Sequence, residues 1–264
     1  MVTGATSGIG LETARALARA GGRVIVAVRD PVRGAAVVQE LVAAGGRAEL
    51  LVIDLASFAS VRQAAAQVLG TGAALDVLVN NAGVVPGRRE VTGDGHERIW
   101  QTNFLGHVLL TRLLHDALSR AARPRVVNVS SMAHRSARIA WDDPDMAQGF
   151  RPLRAYGQSK LAQVLFTREL ARREPGWTVT AIHPGGIWTG IWRAAPLPAR
   201  LVLRLLLPPA EKGAAPVVRL AVAPDVADAS GKYFNRWKEE EPAPQGRDDA
   251  AALRLWELGE RATA

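Results

Sequence analysis

The sequence predicts a single doubly wound α/β domain built on a parallel sheet. Two observations carry this. Short apolar, β-branched runs alternate with longer stretches of helical periodicity along most of the 264 residues, an alternation that implies right-handed βαβ crossovers. The runs are apolar at consecutive rather than alternate positions, as expected of strands covered by helices on both faces. A hydrophobic content of 48% with 22% charged residues suits one sizeable core and argues against bulk disorder.

The chain opens on MVTGATSGIG, where Met1, Val2 and Thr3 form the first strand and a helix over 10–20 follows, ended by Gly21-Gly22. RVIVAV (23–28) is the second strand, with a helix over 31–44 behind it. ELLVI (49–53) and a helix over 57–69 come next, then DVLVN (76–80) and a long helix over 97–121. RVVNVS (125–130), a helix over 153–173 and WTVTAIH (177–183) complete the alternation. RAAPLPARLVLRLLLPPAEKGAAP (193–216) is the main irregular segment, with 201–207 apolar enough for a short helix. The tail over 236–264 is polar at first and helical over 250–261. A first strand of three residues is short against the usual ~5–6. In a doubly wound sheet it lies centrally, so its neighbours are expected to lose hydrogen-bond partners. The expectation is that Met1 is an internal methionine of a longer natural chain.

Composition narrows the chemistry. The net charge of +8 comes from scattered arginines, with only four lysines and 5% aromatics. A nucleic-acid binder shows a basic stripe with interleaved aromatics, so a solvated arginine-rich surface is the expected reading and nucleic acid is not an expected partner. The absence of cysteine excludes disulfides, thiolate metal sites and cysteine nucleophiles, and fits a cytoplasmic location. No metal site is expected. No secretion signal opens the chain, and no apolar run approaches the ~20 residues that span a bilayer.

Residues 3–10 read TGATSGIG, with glycines spaced GxxxGxG ahead of a helix. Gly4 permits the sharp turn out of the strand, Gly8 lets backbone approach a pyrophosphate, and Gly10 lets the helix pack on the sheet. The helix N-terminus offers free N–H groups to the phosphates. Gly4, Ser7, Gly8, Ile9 and Gly10 are therefore candidate cofactor contacts. The second strand ends at Arg29-Asp30, where an adenosine ribose would lie. A guanidinium there suits a 2′-phosphate and favours NADP(H); an inward-pointing Asp30 would favour NAD(H) instead.

AYGQSKLAQVLF places Tyr156 and Lys160 four apart, on one face of a helix. A phenol with a pKa of ~10 is too weak an acid for neutral chemistry unless a nearby ammonium lowers it, and the pair could then exchange a proton with a carbonyl or alcohol oxygen. Ser130-Ser131 and Asn80, Asn81 and Gly83 end strands, at the sheet edge where doubly wound folds bind ligands. Asn103 lies in a mostly apolar helix and needs hydrogen-bond partners, as a structural bridge or as part of a proton route. His134 and His183 are read as structural.

Taken together, TGATSGIG, Asp54-Leu55, NNAG, Asn103, VSS, YGQSK and HPGGIWT (183–189) resemble the classical short-chain dehydrogenase/reductase family, over nearly the whole chain. The resemblance implies a Rossmann sheet and a tetrad of Asn103, Ser131, Tyr156 and Lys160. In it Tyr156 is the acid/base, and Lys160 lowers its pKa and holds the nicotinamide ribose. Ser131 orients the substrate oxygen, and Asn103 supports a relaying water. It also implies that Asp54 and Leu55 meet the adenine, Asn81, Ala82 and Gly83 the adenosine side, and Pro184, Gly185 and Thr189 the nicotinamide end. AVRD, the 25-residue spacing of Ser131 and Tyr156, ASGKYF and LWELGER are similar to the retinol-dehydrogenase-like branch. That branch interconverts carbonyls and alcohols, often lipophilic, frequently with NADP. The family is often dimeric or tetrameric through its fourth and fifth helices.

The expected function is an NADP(H)-dependent carbonyl reductase/alcohol dehydrogenase with a bulky apolar small-molecule substrate. The alternative is a cofactor-binding sensor or scaffold without turnover. Trp188, Ile191, Trp192 and 201–207 suggest an apolar lid over 188–216. The same residues would also serve as ordinary core, a dimer contact or a membrane-facing patch.

Overall fold

A computed structural model describes residues 1–187 and 207–264. The lid residues Trp188, Ile191 and Trp192, the cofactor candidate Thr189 and most of 201–207 lie outside the described residues. Eight strands form one sheet in the order β3-β2-β1-β4-β5-β6-β7-β8. They are β1 (Val2–Thr3), β2 (Arg23–Val28), β3 (Arg47–Val52), β4 (Val77–Asn80), β5 (Arg125–Val129), β6 (Thr178–His183), β7 (Tyr233–Asn235) and β8 (Lys238–Glu240). All pairs are parallel except β7 with β8. The strand order reverses between β1 and β4, and that switch point opens a crevice beyond the carboxyl ends of the strands.

The short first strand is paired on both sides. Val2 stands opposite Val26 and Val79, and Thr3 opposite Ala27. The Met1 amine donates to the Val77 carbonyl at 2.7 Å. The first half of β2, Arg23 to Ile25, ladders with β3 alone.

Sequence-encoded caps delimit the helices. Helix α1 (Gly8–Arg19) opens at Ser7, and α2 (Pro31–Ala43) is capped by Asp30, which accepts from the amides of Val32 and Arg33. Ser57 caps α3 (Phe58–Gly70) in the same way. The long helix expected over 97–121 is instead divided. Glu97 caps a single turn, α4 (Arg98–Trp100), which passes into a π-helical segment (Gln101–Leu105), then α5 (Gly106–Leu113) and α6 (His115–Ser119). A Cβ on Gly106 would lie 2.5 Å from the Leu55 carbonyl. The widened turn therefore sits where the helix presses on the β3 loop.

Helix α7 (Pro152–Arg173) carries Tyr156 and Lys160. The irregular segment expected over 193–216 is corrected at its end, because α8 (Ala210–Val222) runs straight through Pro216. Its apolar stripe of Val217, Leu220 and Ala221 is buried with Leu17 of α1 and Val127 of β5, and this burial outweighs the hydrogen bond that proline forfeits. Residues 210–216 thus form the first half of a helix that packs on α1. Helix α9 (Asp249–Ala262) lies across α7 and α5, stacking Trp256 on Phe166 and seating Gly259 against Val108. Strands β7 and β8 were not expected from the sequence. Among the described residues no helix is long and apolar enough to cross a membrane.

Candidate active site

A cavity of about 1040 Å³ fills the crevice. Gly4, Ser7, Gly8, Ile9, Gly10, Arg29, Asp54, Leu55, Asn81, Ala82, Gly83, Ser131, Tyr156, Lys160, Pro184 and Gly185 all line it. Of the candidates within the described residues, Asn103 does not, and neither does Asn80, whose buried side chain donates to Thr111 and Asn128. Arg33, His183, Val84, Val85 and Leu153 also line the cavity and were not among the candidates. Arg33 was legible in part, since it stands one turn after Arg29 at the start of a helix facing the site.

The phosphate loop is shaped by its glycines. Gly4 and Gly8 adopt φ of 69° and 58°, in the left-handed region that favours glycine. A Cβ on Gly10 would meet the Asn81 side-chain nitrogen at 2.4 Å and the Gly4 carbonyl oxygen at 2.6 Å. The loop is thus a cradle that side chains would fill, and it fits a dinucleotide pyrophosphate. Thr3 ties it to the Asn80–Val84 stretch. Its hydroxyl accepts from the amides of Asn81 and Ala82 at 2.9 and 3.0 Å, and the Asn81 side chain donates to the Thr3 carbonyl at 2.8 Å. At the adenosine end, the Asp30 carboxylate is engaged in capping α2. Arg33 donates to the Thr6 carbonyl at 3.2 Å, which places its guanidinium beside the loop.

At the other end, Ser130 and Ser131 have separate tasks. Ser130 is buried and donates to the Lys160 carbonyl at 2.7 Å. Ser131 is half-buried and lines the cavity with Tyr156; its hydroxyl accepts from the Ala133 amide at 3.3 Å and favours the ionised form of the Tyr156 phenol. Lys160 is 3% exposed, donates from Nζ to the Val129 carbonyl at 2.7 Å, and stands 5.5 Å from the centre of the Tyr156 ring. Burial pulls the Lys160 pKa down to about 8.

The expected lowering of the Tyr156 pKa is not what this geometry gives. Burial pushes the phenol above its ordinary value, and the Ser131 hydroxyl only partly opposes this. Lys160 sits by the ring and is held on a main-chain carbonyl, so the phenol stays protonated at neutral pH.

Asn103 is a bridge. Its side chain accepts from the Val84 amide at 2.8 Å and donates to the Val84 carbonyl and the Ser159 hydroxyl, both at 3.1 Å. Ser159 in turn donates to the Tyr156 carbonyl. The side chain is fully committed and holds the cavity wall to the helix that carries Tyr156 and Lys160. Asn103 lies inside the π segment, and its carbonyl accepts from Gln163 at 2.5 Å and from His107 Nδ1 at 3.2 Å.

His107 is buried and uses its other nitrogen to accept from Thr3 at 3.0 Å. Burial holds its pKa at about 3 and that of His183 at about 4. For such groups the unfolded chain takes up a proton near pH 6.5 and the folded protein does not. Their stabilising contribution is therefore complete above pH 6.5 and is lost as pH falls. For His107 the loss by pH 5 is on the order of 2 kcal/mol. His96, raised by Asp145, and Glu97, raised by burial, have the opposite sign, while the lowered His134 and Met1 amine add to the two. The urea midpoint is expected to fall as pH is lowered from about 7 to 5; a flat or rising midpoint contradicts the assignment.

Comparisons with known proteins agree with this architecture. The family model for short chain dehydrogenase matches residues 1–197. The human protein "Retinol dehydrogenase 13" is 42% identical over 274 residues, covering 97% of this chain and 81% of its own length. "Retinol dehydrogenase 12" of Mus musculus is 40% identical, covering 98% and 84%. Among solved structures, an uncharacterized protein from Mycobacterium paratuberculosis superposes with a TM-score of 0.80 at 35% identity, covering 99% of this chain and 91% of its own. The Pseudomonas aeruginosa RhlG/NADP active-site complex gives 0.72 at 29% identity, covering 96% and 95%. The chain belongs to the short-chain dehydrogenase family, on its retinol-dehydrogenase-like branch, and is an oxidoreductase acting on CH–OH and C=O groups with NAD(P).

Proposed function

We propose that this chain is an NADP(H)-dependent oxidoreductase that interconverts a bulky apolar aldehyde or ketone with the matching alcohol, using Ser131, Tyr156 and Lys160. One observation carries the reading. Tyr156 and Ser131 line the cavity together, with the buried Lys160 ammonium beside the Tyr156 ring, at the end away from Arg29 and Arg33. When bound, the cofactor supplies a hydride to the carbonyl carbon. The protein's own residues handle everything else. The Ser131 hydroxyl orients the substrate oxygen, and the protonated Tyr156 phenol delivers a proton to it. The charge on Lys160 steadies the phenolate that remains. Asn103 keeps Val84 and the Tyr156 turn in fixed relation.

Preference for NADP(H) is supported by Asp30, whose carboxylate caps α2, and by Arg29 and Arg33 lining the adenosine end together. Guanidinium–phosphate bonds are charge-assisted. The double variant Arg29→Ala/Arg33→Ala is expected to weaken NADPH binding about 10–100-fold and leave NADH binding unchanged. Fluorescence titration with each cofactor checks this, and equal loss for both would count against the 2′-phosphate reading.

The substrate end supports an apolar ligand. Val84, Val85, Ala133, Pro152, Leu153 and Ile187 line it, whereas the charged lining residues other than Lys160 and His183 gather at the adenosine end. Pockets of this make-up select by shape and apolar contact. NADPH consumption across decanal, benzaldehyde, all-trans-retinal and a sugar acid tests the proposal. Turnover restricted to the apolar carbonyls is expected, and none with any carbonyl would overturn it.

A further inference from the structure

His134 is buried, does not line the cavity, and presents both ring nitrogens to main-chain groups. Nδ1 lies 2.7 Å from the Ser131 carbonyl oxygen, and Nε2 lies 3.3 Å from the Ala243 amide nitrogen. A carbonyl only accepts and an amide N–H only donates. These partners fix the ring as neutral, with its proton on Nδ1.

The same turn is gripped a second time. The Gln245 side-chain nitrogen lies 3.1, 2.7 and 3.1 Å from the carbonyls of His134, Arg135 and Ala137. The His134 ring also rests 4.7 Å from that of Tyr233 on β7. The segment after β8, more than a hundred residues away in sequence, thus clasps the 3-10 turn Met132–Ser136, whose N-cap is Ser131.

We propose that His134 is a positioning residue for Ser131. Its Nδ1–H fixes the Ser131 carbonyl, and with it the direction of the hydroxyl that meets Tyr156, while Ala243 and Gln245 hold the ring and turn in place. The proposal rests on the reading of Ser131 as the hydroxyl that orients the substrate. It gives the C-terminal segment a share in the reaction, although none of its residues lines the cavity. A small misplacement of a reacting group suffices to cost ~10²-fold in rate.

The two ring nitrogens can be separated by substitution. His134→Asn keeps a donor near Nδ1, and His134→Gln reaches the Nε2 position but lacks that donor. The kcat with the best carbonyl of the panel, the NADPH Kd and the melting temperature are measured for both, beside Ser131→Ala. Expected are a loss in kcat of about 10–100-fold for His134→Gln, a kcat within about threefold of wild type for His134→Asn, and NADPH Kd unchanged in both. Ser131→Ala at wild-type kcat would remove the underlying reading itself. Ser131→Ala inactive but His134→Gln at wild-type kcat would overturn the positioning role alone, as would equal losses in the two His134 variants. Gln245→Ala, at a half-buried position, covers the case in which His134→Gln fails to fold. A several-fold drop in kcat at constant NADPH Kd is expected, and wild-type kcat would overturn the clasp.

Discussion

Replacing Tyr156 with Phe is expected to reduce turnover by about 10²–10⁴-fold, the usual worth of a positioned proton donor, while NADPH binding stays close to wild type. The phenol lines this end of the cavity beside Ser131, and burial raises its pKa, so it is protonated at neutral pH. Phenylalanine keeps the ring and its place beside Lys160, so the shape of the cavity and the Lys160–Val129 bond are retained. The raised phenol also sets a direction with pH. Carbonyl reduction consumes the protonated form and should hold across neutral pH, whereas alcohol oxidation needs the phenolate and should climb on the alkaline side. Steady-state rates in both directions, with NADPH titrated separately, check this. Full activity in Tyr156→Phe would refute the mechanism.

Gly10→Ala is expected to damage cofactor binding and stability together. The added methyl would stand 2.4 Å from the Asn81 side-chain nitrogen and 2.6 Å from the Gly4 carbonyl oxygen. Asn81 might swing away were it free, but its nitrogen is bonded to the Thr3 carbonyl at 2.8 Å, and the Gly4 oxygen is backbone. The phosphate loop and the Asn80–Val84 stretch would have to part. Overpacking of this kind costs about 1–3 kcal/mol, enough to lower the melting temperature by several degrees and NADPH affinity by about tenfold or more. Gly93→Ala is the control, since a Cβ there meets nothing within 4 Å. Gly10→Ala binding NADPH as tightly as wild type would show that the loop can relax and that this reading of the cradle fails.

The residues that line the candidate site were legible because their signals are local. The glycine spacing of the phosphate loop reports a turn, and a tyrosine and lysine four apart report one face of a helix. Strand-terminal positions such as Ser131, Asn81 and Pro184 follow from where apolar runs stop, and a doubly wound sheet places all such stops along one edge. The bounds of five of the six longer helices expected from the sequence were likewise readable within two residues, as at Pro31 and Ser57.

What the sequence by itself determined was therefore the fold class, the side chains that line the candidate site and the edge of the sheet where they gather. Tertiary structure alone decided the rest, and the reason is contact between distant segments. Whether Asp30 faces the cofactor or caps α2 depends on where the helix starts relative to β2. Pro216 closes the segment expected to be irregular, yet burial of one helix face against α1 outweighs a single missing hydrogen bond. The split of the Glu97 helix lies where Gly106 presses on Leu55, a residue of another βα unit. The direction of the Tyr156 shift depends on how deeply the fold buries the phenol and on where Val129 holds the lysine. Spacing along a helix brings Tyr156 and Lys160 together, but only the packed fold sets the dielectric around them.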